Sequence, residues 1–222
     1  EHLGVEAVSQ EVNVLLGPGT NIKRNPLCGR NFEYFSEDPF LAGKLSAAYI
    51  RGIQSKGISA CLKHFAANNQ EFRRMVMDSI IDERALKEIY LKPFEIGIKE
   101  GNLKCLMSSY NLLNGAYTNE NIHLMRDILR DDWKYDGVVV TDWGGSNDRV
   151  KGLIAGNSLE MPSTNGETNR EIVEAVKNGI LEESILDENL DRLLTLIFET
   201  SLEIKPEPFN IEEHHMFAEE VA

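Results

Sequence analysis

The chain alternates short apolar runs with longer stretches in which apolar residues recur at helical spacing. The short runs predict β-strands at residues 12–16, 59–62, 104–108, 137–141 and, more weakly, 158–161. Several of them are apolar throughout and lack the polar alternation of a half-exposed strand. This pattern is typical of strands that are covered on both faces in a parallel sheet.

The longer stretches predict amphipathic helices between these strands. Ser36 is expected to cap a helix that begins at Pro39, and Asp82 is expected to cap a second helix with a kink at Pro93. Further helices are predicted to begin at Asn119 and to cover residues 170–177 and 184–200. Repeated strand–helix units favour the α/β class with parallel strands.

Charged and aromatic residues collect where the predicted strands end. They are Lys63, His64, Asp142, Trp143 and Glu160. In a (β/α)8 barrel, as in open α/β sheets, this rim carries the chemistry. A barrel needs eight strands and about 250 residues. Five predicted strands in 222 residues therefore suggest the later part of a barrel that lacks its first strands.

Composition excludes several classes of function. Lys and Arg number 23 against 36 Asp and Glu, a formal charge of −13, and no basic block is present. Such a chain lacks the cationic surface that nucleic acids or anionic lipids require, and no apolar run approaches the roughly 20 residues of a membrane span. Three widely spaced cysteines predict no disulfide framework and favour a reducing, cytoplasmic location. We expect neither a metal nor a cofactor.

Asp142 is the first candidate for chemistry, because it closes an apolar run and precedes Trp143. A carboxylate there is costly to desolvate unless it is paired or hydrogen-bonded. It is either a nucleophile or general base at the rim, or a solvated loop acid that caps a helix beginning near Ser146. The residues alone leave both interpretations open.

Three cationic or imidazole side chains are the next candidates. A Lys such as Lys63 lowers the pKa of a neighbouring carboxylate, as a nucleophile requires, and His64 can orient hydroxyl groups. Alternatively, Lys63 pairs with a structural acid and His64 is a hydrogen-bonded core residue. Arg30 either holds substrate oxygens or rigidifies its loop against an acid at position 33, 37 or 38.

Met107 and Tyr110 follow the third predicted strand. A thioether and an aromatic ring beside an acid suit the apolar face of a sugar. A methionine at the end of a strand is nevertheless more often part of the core. The side chains at this position therefore indicate either a sugar subsite or ordinary packing.

Five blocks of the sequence together resemble glycoside hydrolase family 3, in its β-glucosidase branch. They occur in order between about residues 5 and 202, and they read GRNFE (29–33) with SEDP (36–39), KHFAANNQE (63–71), MSSYN (107–111), VTDW (140–143) and LEMP (159–162). The resemblance implies a (β/α)8 barrel and a retaining mechanism with a covalent glycosyl-enzyme intermediate.

By position in these blocks, Asp142 matches the nucleophile of the family. The residues that match its sugar-binding subsite are Arg30, Lys63, His64, Met107, Tyr110 and Trp143. The stretch Asn68-Asn69-Gln70 stands where the N-acetylglucosaminidase branch has an Asp-His loop, which favours an unacetylated sugar such as glucose. A β-xylosidase or α-L-arabinosidase, and an inactive sugar-binding or structural fragment, are the alternatives.

Two elements of the family pattern lie outside this sequence. One is a substrate-holding Asp on an early barrel strand, and the other is the general acid/base, usually a Glu in a second α/β domain. We therefore interpret residues 1–202 as a partial barrel and residues 203–222 as a linker toward that second domain. The missing strands and domain, either in a longer polypeptide or in another chain, are expected as partners, together with a small carbohydrate substrate.

Overall fold

The computed structural model of the chain describes residues 1–201, 206 and 208–222. The α-helices are α1 (His2–Ser9), α2 (Pro39–Gln54), α3 (Glu83–Ala85), α4 (Lys92–Gly101), α5 (Arg149–Ala155), α6 (Glu167–Lys177), α7 (Glu183–Ser201) and α8 (Ile211–Val221). Two π-helical segments cover Leu86–Tyr90 and His123–Asp132, and a 3-10 turn covers Thr118–Glu120. The strands are β1 (Val14–Leu15), β2 (Ser59–Phe65), β3 (Asp78–Ser79), β4 (Cys105–Ser108), β5 (Leu112–Leu113), β6 (Ala116–Tyr117) and β7 (Val138–Val140).

Four of the predicted strands form one parallel sheet within the described residues, in the order β1-β2-β4-β7. Cys61 pairs with Cys105, and Cys105 pairs with Val138, so the three longer strands are in register. The fifth predicted run is reduced to one parallel bridge between Val140 and Leu159. Parallel pairing brings the carboxyl ends of all these strands to one edge, as predicted.

The two faces of the sheet have different partners. Alternate residues such as Leu62, Leu106 and Val139 lie in the large buried cluster that also contains Ile50 of α2 and Phe94 of α4. The opposite face has its own cluster, whose buried members are Cys61, Cys105, Met107, Val138, Val140 and Leu196 of α7. Burial on both faces explains why the strands are apolar throughout.

Close packing of α2 against α4 depends on a glycine. A Cβ atom on Gly43 would lie 2.8 Å from Ile96, which is too close for any side chain. The absence of a side chain at position 43 therefore lets α2 and α4, which cover the same face of the sheet, approach each other.

Helices α6 and α7 differ from the predicted ranges by one to three residues at their ends, and three other features of the helices also differ from the prediction. Asp38, not Ser36, caps α2 and accepts a hydrogen bond of 2.7 Å from the Leu41 N–H, because Pro39 restricts the residue before it to an extended conformation. The helix expected from Asn119 begins instead at His123, and the Asn121 side chain accepts from the Leu124 N–H at 3.0 Å.

The third difference concerns Pro93. A kink was expected inside one helix, but the π-helical segment Leu86–Tyr90 ends before α4 begins at Lys92. Pro93 thus lies in the first turn of α4, where a backbone N–H has no hydrogen-bond partner within the helix, so the lack of an N–H in proline costs no hydrogen bond. The predicted cap Asp82 is confirmed, since its carboxylate accepts from the Ala85 N–H at 3.0 Å.

A small second sheet was not predicted. It has the order β3-β5-β6, with β3 and β5 parallel and β5 and β6 antiparallel. It connects the loop after β2 with the segment after β4. Each strand has two residues, too few for the periodicity that would announce it in the sequence.

The predicted boundary at residue 202 and the first residues of the predicted linker, 203–205, lie outside the described residues, as does residue 207. Helix α8 follows them and contacts α1, where Nδ1 of His214 lies 2.6 Å from a carboxylate oxygen of Glu6. In the described part of the chain, no helix combines the length and apolar character of a membrane span.

Candidate active site

The carboxyl ends of β2, β4 and β7 bring six of the seven predicted site residues to one edge of the sheet, and Arg30 joins them from the loop before α2. Lys63 and His64 lie among the last three residues of β2, and Asp142 follows β7 by two residues. The register of β2 against β4 shifts between Leu62 and Phe65, and the Lys63–His64 and Phe65–Ala66 peptide bonds are cis.

Asp142 has one engaged and one unengaged carboxylate oxygen. Its Oδ1 accepts a hydrogen bond of 2.7 Å from the Trp143 N–H, which orients the carboxylate. Its Oδ2 is buried and has no hydrogen-bond partner among the described residues, and Nε2 of His64 lies 3.7 Å from it. The carboxylate is therefore held in place with one oxygen left for another molecule.

The alternative in which Asp142 caps a helix is wrong. Helix α5 begins at Arg149, and its cap is Asp148, which accepts from the Lys151 N–H at 3.0 Å. The side chain of Asp142 is only 13% exposed, so it is not a solvated loop acid either.

His64 is buried, with 1% of its surface exposed. Its backbone is fixed by Asn21, whose Oδ1 accepts from the His64 N–H at 2.8 Å and whose Nδ2 donates to the His64 carbonyl at 2.9 Å. Burial, and then the positive charges of Arg30, Lys63 and Arg74, holds the pKa of His64 well below 6.5. The imidazole is accordingly neutral near pH 7.

The lowered pKa of His64 makes a prediction about stability. Between its folded pKa and the ordinary value of 6.5, the unfolded chain binds more protons than the folded chain. The contribution of His64 to stability is therefore complete above about pH 6.5 and is lost as the pH falls below it, with a slope of up to about 1.4 kcal/mol per pH unit. Urea unfolding at several pH values between 5 and 8 measures it.

The variant His64→Gln should lose this slope, whereas His215→Gln should keep it, because His215 is exposed. The prediction would be wrong if the free energy of unfolding changed with pH by the same amount in the wild type and in His64→Gln.

Arg30 and Lys63 share the carboxylate of Glu33, which is one of the three acids predicted as possible partners of Arg30. Arg30 Nε donates to Oε1 of Glu33, and Lys63 Nζ lies 3.6 Å from Oε2. Burial alone would lower the pKa of Arg30, but the hydrogen bond to Glu33 and the nearby negative charges raise it. Glu33 thus holds both cations at the edge of the site, and the pairing of Lys63 with an acid is confirmed.

Tyr110 connects the ends of β4 and β7. Its hydroxyl donates to the Trp143 carbonyl at 2.8 Å, and burial followed by the charge of Asp142 raises its pKa to about 12. The phenol therefore stays protonated and keeps donating at any pH near neutrality. The adjacent indole of Trp143 is 63% exposed, so it offers an open aromatic face beside Asp142.

Arg74 was missed by the sequence analysis. Its guanidinium lies over the Tyr110 ring, 4.6 Å from the centroid, and its Nη1 donates to Glu71 at 2.7 Å. Two adjacent arginines in the loop after β2, Arg73 and Arg74, were the available indication. Which of them turns toward the site depends on the path of that loop.

Met107 lies with the core. It is 4% exposed and packs with Cys61 and Val140 in the cluster on the face of the sheet that contacts Leu196 of α7. These contacts agree with the packing interpretation, and contact between Met107 and a substrate stays a prediction.

The site therefore combines an oriented carboxylate, several fixed hydrogen-bond donors and an exposed aromatic ring. Donors and an aromatic face suit a neutral polyhydroxylated molecule, and the unengaged oxygen of Asp142 suits attack on an electrophilic carbon. Within the described residues, no three His, Cys, Asp or Glu side chains cluster as metal ligands would.

Known proteins share both the sequence and the fold. The model of the glycosyl hydrolase family 3 N terminal domain matches residues 1–196. Thermostable beta-glucosidase B of Acetivibrio thermocellus is 53% identical over 222 residues, which are 99% of this chain and 29% of that protein. An exo-alpha-(1->6)-L-arabinopyranosidase of Bifidobacterium longum is 43% identical over 224 residues, covering 100% of this chain and 29% of that protein.

A solved structure extends the likeness to three dimensions. Beta-glucosidase 3B of Thermotoga neapolitana, in complex with glucose, matches with a TM-score of 0.92 and 44% identity over 98% of this chain and 32% of its own. The likeness confirms the predicted α/β, (β/α)8-barrel type of fold. The chain spans 29–32% of the length of these relatives.

Proposed function

Because the chain belongs to glycosyl hydrolase family 3, we propose that it carries the nucleophile and most of the sugar-binding subsite of a retaining β-glucosidase. The observation that carries the proposal is the carboxylate of Asp142. It is oriented through Oδ1 by the Trp143 N–H, and its buried Oδ2 has no partner in the described part of the chain.

In the proposed reaction, Oδ2 of Asp142 attacks the anomeric carbon of a terminal β-D-glucoside. A carbon–oxygen ester bond to the enzyme forms as the bond to the aglycone oxygen breaks. That oxygen takes a proton from a general acid, and a water molecule then hydrolyses the ester with retention of configuration.

The other site residues have proposed roles in holding the sugar. Arg30, Lys63 and His64 donate hydrogen bonds to its hydroxyl groups, and the shared contact with Glu33 keeps the two cations in place. Tyr110 fixes the backbone beside the nucleophile, and the exposed face of Trp143 stacks on the sugar ring.

We assign the general acid/base to a glutamate outside the 222 residues. The nearby glutamates Glu33 and Glu71 each accept a hydrogen bond from an arginine, Arg30 and Arg74 respectively, an arrangement that suits holding cations rather than donating protons. In this proposal residues 1–202 belong to the catalytic barrel and residues 203–222 lead toward the second domain.

The proposed function predicts a covalent adduct. A 2-deoxy-2-fluoro-β-D-glucoside with a dinitrophenolate leaving group reacts without a general acid, and the fluorine slows hydrolysis of the intermediate. The protein should gain the mass of one fluoroglucosyl group, and peptide mapping should locate it on Asp142. Intact, folded protein that acquires no adduct, or acquires it at another residue, would overturn the assignment.

A second substrate class is supported by a relative. The similarity to an exo-alpha-(1->6)-L-arabinopyranosidase supports α-L-arabinopyranosides as alternative substrates of the same nucleophile, and β-D-xylosides are the other alternative that the resemblance to the family implies. Rates with the nitrophenyl β-D-glucoside, β-D-xyloside and α-L-arabinopyranoside rank the three. Sugar binding without any turnover or adduct would instead favour an inactive sugar-binding fragment.

A further inference from the structure

The ring nitrogen Nδ1 of His64 has two neighbours that compete for a hydrogen bond with it. Nδ1 lies 3.4 Å from the Tyr34 hydroxyl and 3.4 Å from Asn21 Oδ1. Nε2, on the other side of the ring, faces Asp142 Oδ2 at 3.7 Å. A neutral imidazole carries one N–H proton, so the neighbours of Nδ1 decide whether Nε2 faces the carboxylate as a donor or as a lone pair.

Asn21 favours the tautomer in which the proton is on Nδ1, so that Nε2 is not a donor. Its amide is oriented by the His64 backbone, since Nδ2 donates to the His64 carbonyl and Oδ1 accepts from the His64 N–H. Oδ1 can therefore only accept from Nδ1. With the proton on Nδ1, the Nε2 lone pair would point at the negative Asp142 carboxylate.

Tyr34 offers the opposite choice, because its hydroxyl can donate to Nδ1. The hydroxyl is buried, and burial raises its pKa, so it keeps its proton. Asn68 Nδ2 donates to the same oxygen at 3.2 Å. This leaves the Tyr34 proton to point either at His64 Nδ1 or at the Asn68 carbonyl, both 3.4 Å away.

The charge of Asp142 decides between these arrangements. Donation from Tyr34 to Nδ1 places the proton on Nε2, where it faces Asp142 Oδ2. A donor pointing at a buried carboxylate is favourable, whereas a lone pair in the same place is repelled. The contacts then form one directed chain, from Asn68 through Tyr34 and His64 to Asp142.

We propose that Tyr34 is a positioning residue that holds neutral His64 in the Nε2–H tautomer, so that the imidazole donates toward the nucleophile or toward a substrate hydroxyl beside it. Its consequence for catalysis rests on the proposed function. The tautomer itself does not.

Nuclear magnetic resonance tests the tautomer directly. In 15N-histidine-labelled protein, two-bond 1H–15N correlations at pH 7.5 distinguish a protonated Nε2 from a protonated Nδ1. We expect Nε2–H in the wild type and a shift toward Nδ1–H in Tyr34→Phe. The matched control is Tyr49→Phe, a half-buried tyrosine of α2 that packs against Phe35, and it should leave the His64 signals unchanged.

Two results would overturn the proposal: Nδ1–H in the wild type, or an unchanged tautomer in a folded Tyr34→Phe. The wild-type spectrum decides the first even where the variant does not fold. The rate of labelling by the fluoroglucoside should fall by about 10- to 100-fold in Tyr34→Phe, a range set by analogy with the loss of residues that orient metal-ligating histidines. If the wild type forms no adduct, the proposed function fails while the spectrum still tests the tautomer.

Discussion

Replacement of Asp142 by Asn is expected to lower the rate of β-glucoside cleavage by on the order of 10⁴-fold or more, the effect that loss of a nucleophile has in other hydrolases. The amide is close in size to the carboxylate and can still accept the Trp143 N–H through its oxygen. It cannot form the ester that the proposed mechanism requires. The loss should therefore appear in kcat and in adduct formation, with the fold unchanged by circular dichroism.

The control Asp131→Asn removes an exposed carboxylate from the π-helical segment His123–Asp132, which precedes the amino end of β7, whereas Asp142 follows the carboxyl end. This variant should keep full activity. A sharper readout is chemical rescue of Asp142→Ala by azide with a dinitrophenyl β-glucoside. Azide should attack the anomeric carbon from the vacated face, expel dinitrophenolate and yield the α-glucosyl azide. A β-glucosyl azide, or an active Asp142→Asn, would exclude Asp142 as the nucleophile.

Local sequence predicted the features that depend on short-range pattern. The apolar runs at 104–108 and 137–141 predicted β4 and β7, because burial on both faces excludes polar residues from the strand itself. The side chains His64 and Asp142 could be placed at one edge, since each lies at or directly after the end of a strand and parallel strands end together. In the structure the two side chains do lie together, with His64 Nε2 3.7 Å from Asp142 Oδ2.

Features that depend on the course of a loop could not be predicted. Arg74 reaches over the ring of Tyr110, 36 residues later, and nothing in the sequence near either residue encodes the contact. Tyr34 meets His64 in the same way, across 30 residues. Their positions follow from tertiary packing of the loops before α2 and after β2, which periodicity does not describe.

Arg130 is a buried cation whose role is structural. It is 8% exposed, and its guanidinium donates to the carbonyls of Tyr135, Gly137 and Gly156 at 2.7–3.0 Å. Burial lowers its pKa to about 10, so it remains charged near neutrality. These three carbonyls belong to the turns just before β7 and just after α5, and β7 leads directly to Asp142.

The start of β7 is closely packed at Gly137. A Cβ atom on Gly137 would lie 2.5 Å from the Lys104 carbonyl oxygen, so a side chain does not fit at this position. Loss of Arg130 would leave its three carbonyls without their donor. Unpartnered buried groups of this kind are among the costliest defects in a protein interior.

We therefore expect Arg130→Met, which keeps much of the side-chain volume, to lower the free energy of unfolding by about 3–5 kcal/mol. Urea unfolding measures the change. The control is Arg84→Met, whose side chain is 84% exposed and pairs with Glu88 at 3.0 Å, and it should cost less than about 0.5 kcal/mol because exposed ion pairs contribute little. A loss below about 1 kcal/mol in Arg130→Met would show that the carbonyls find other donors, and that the start of β7 does not depend on this cation.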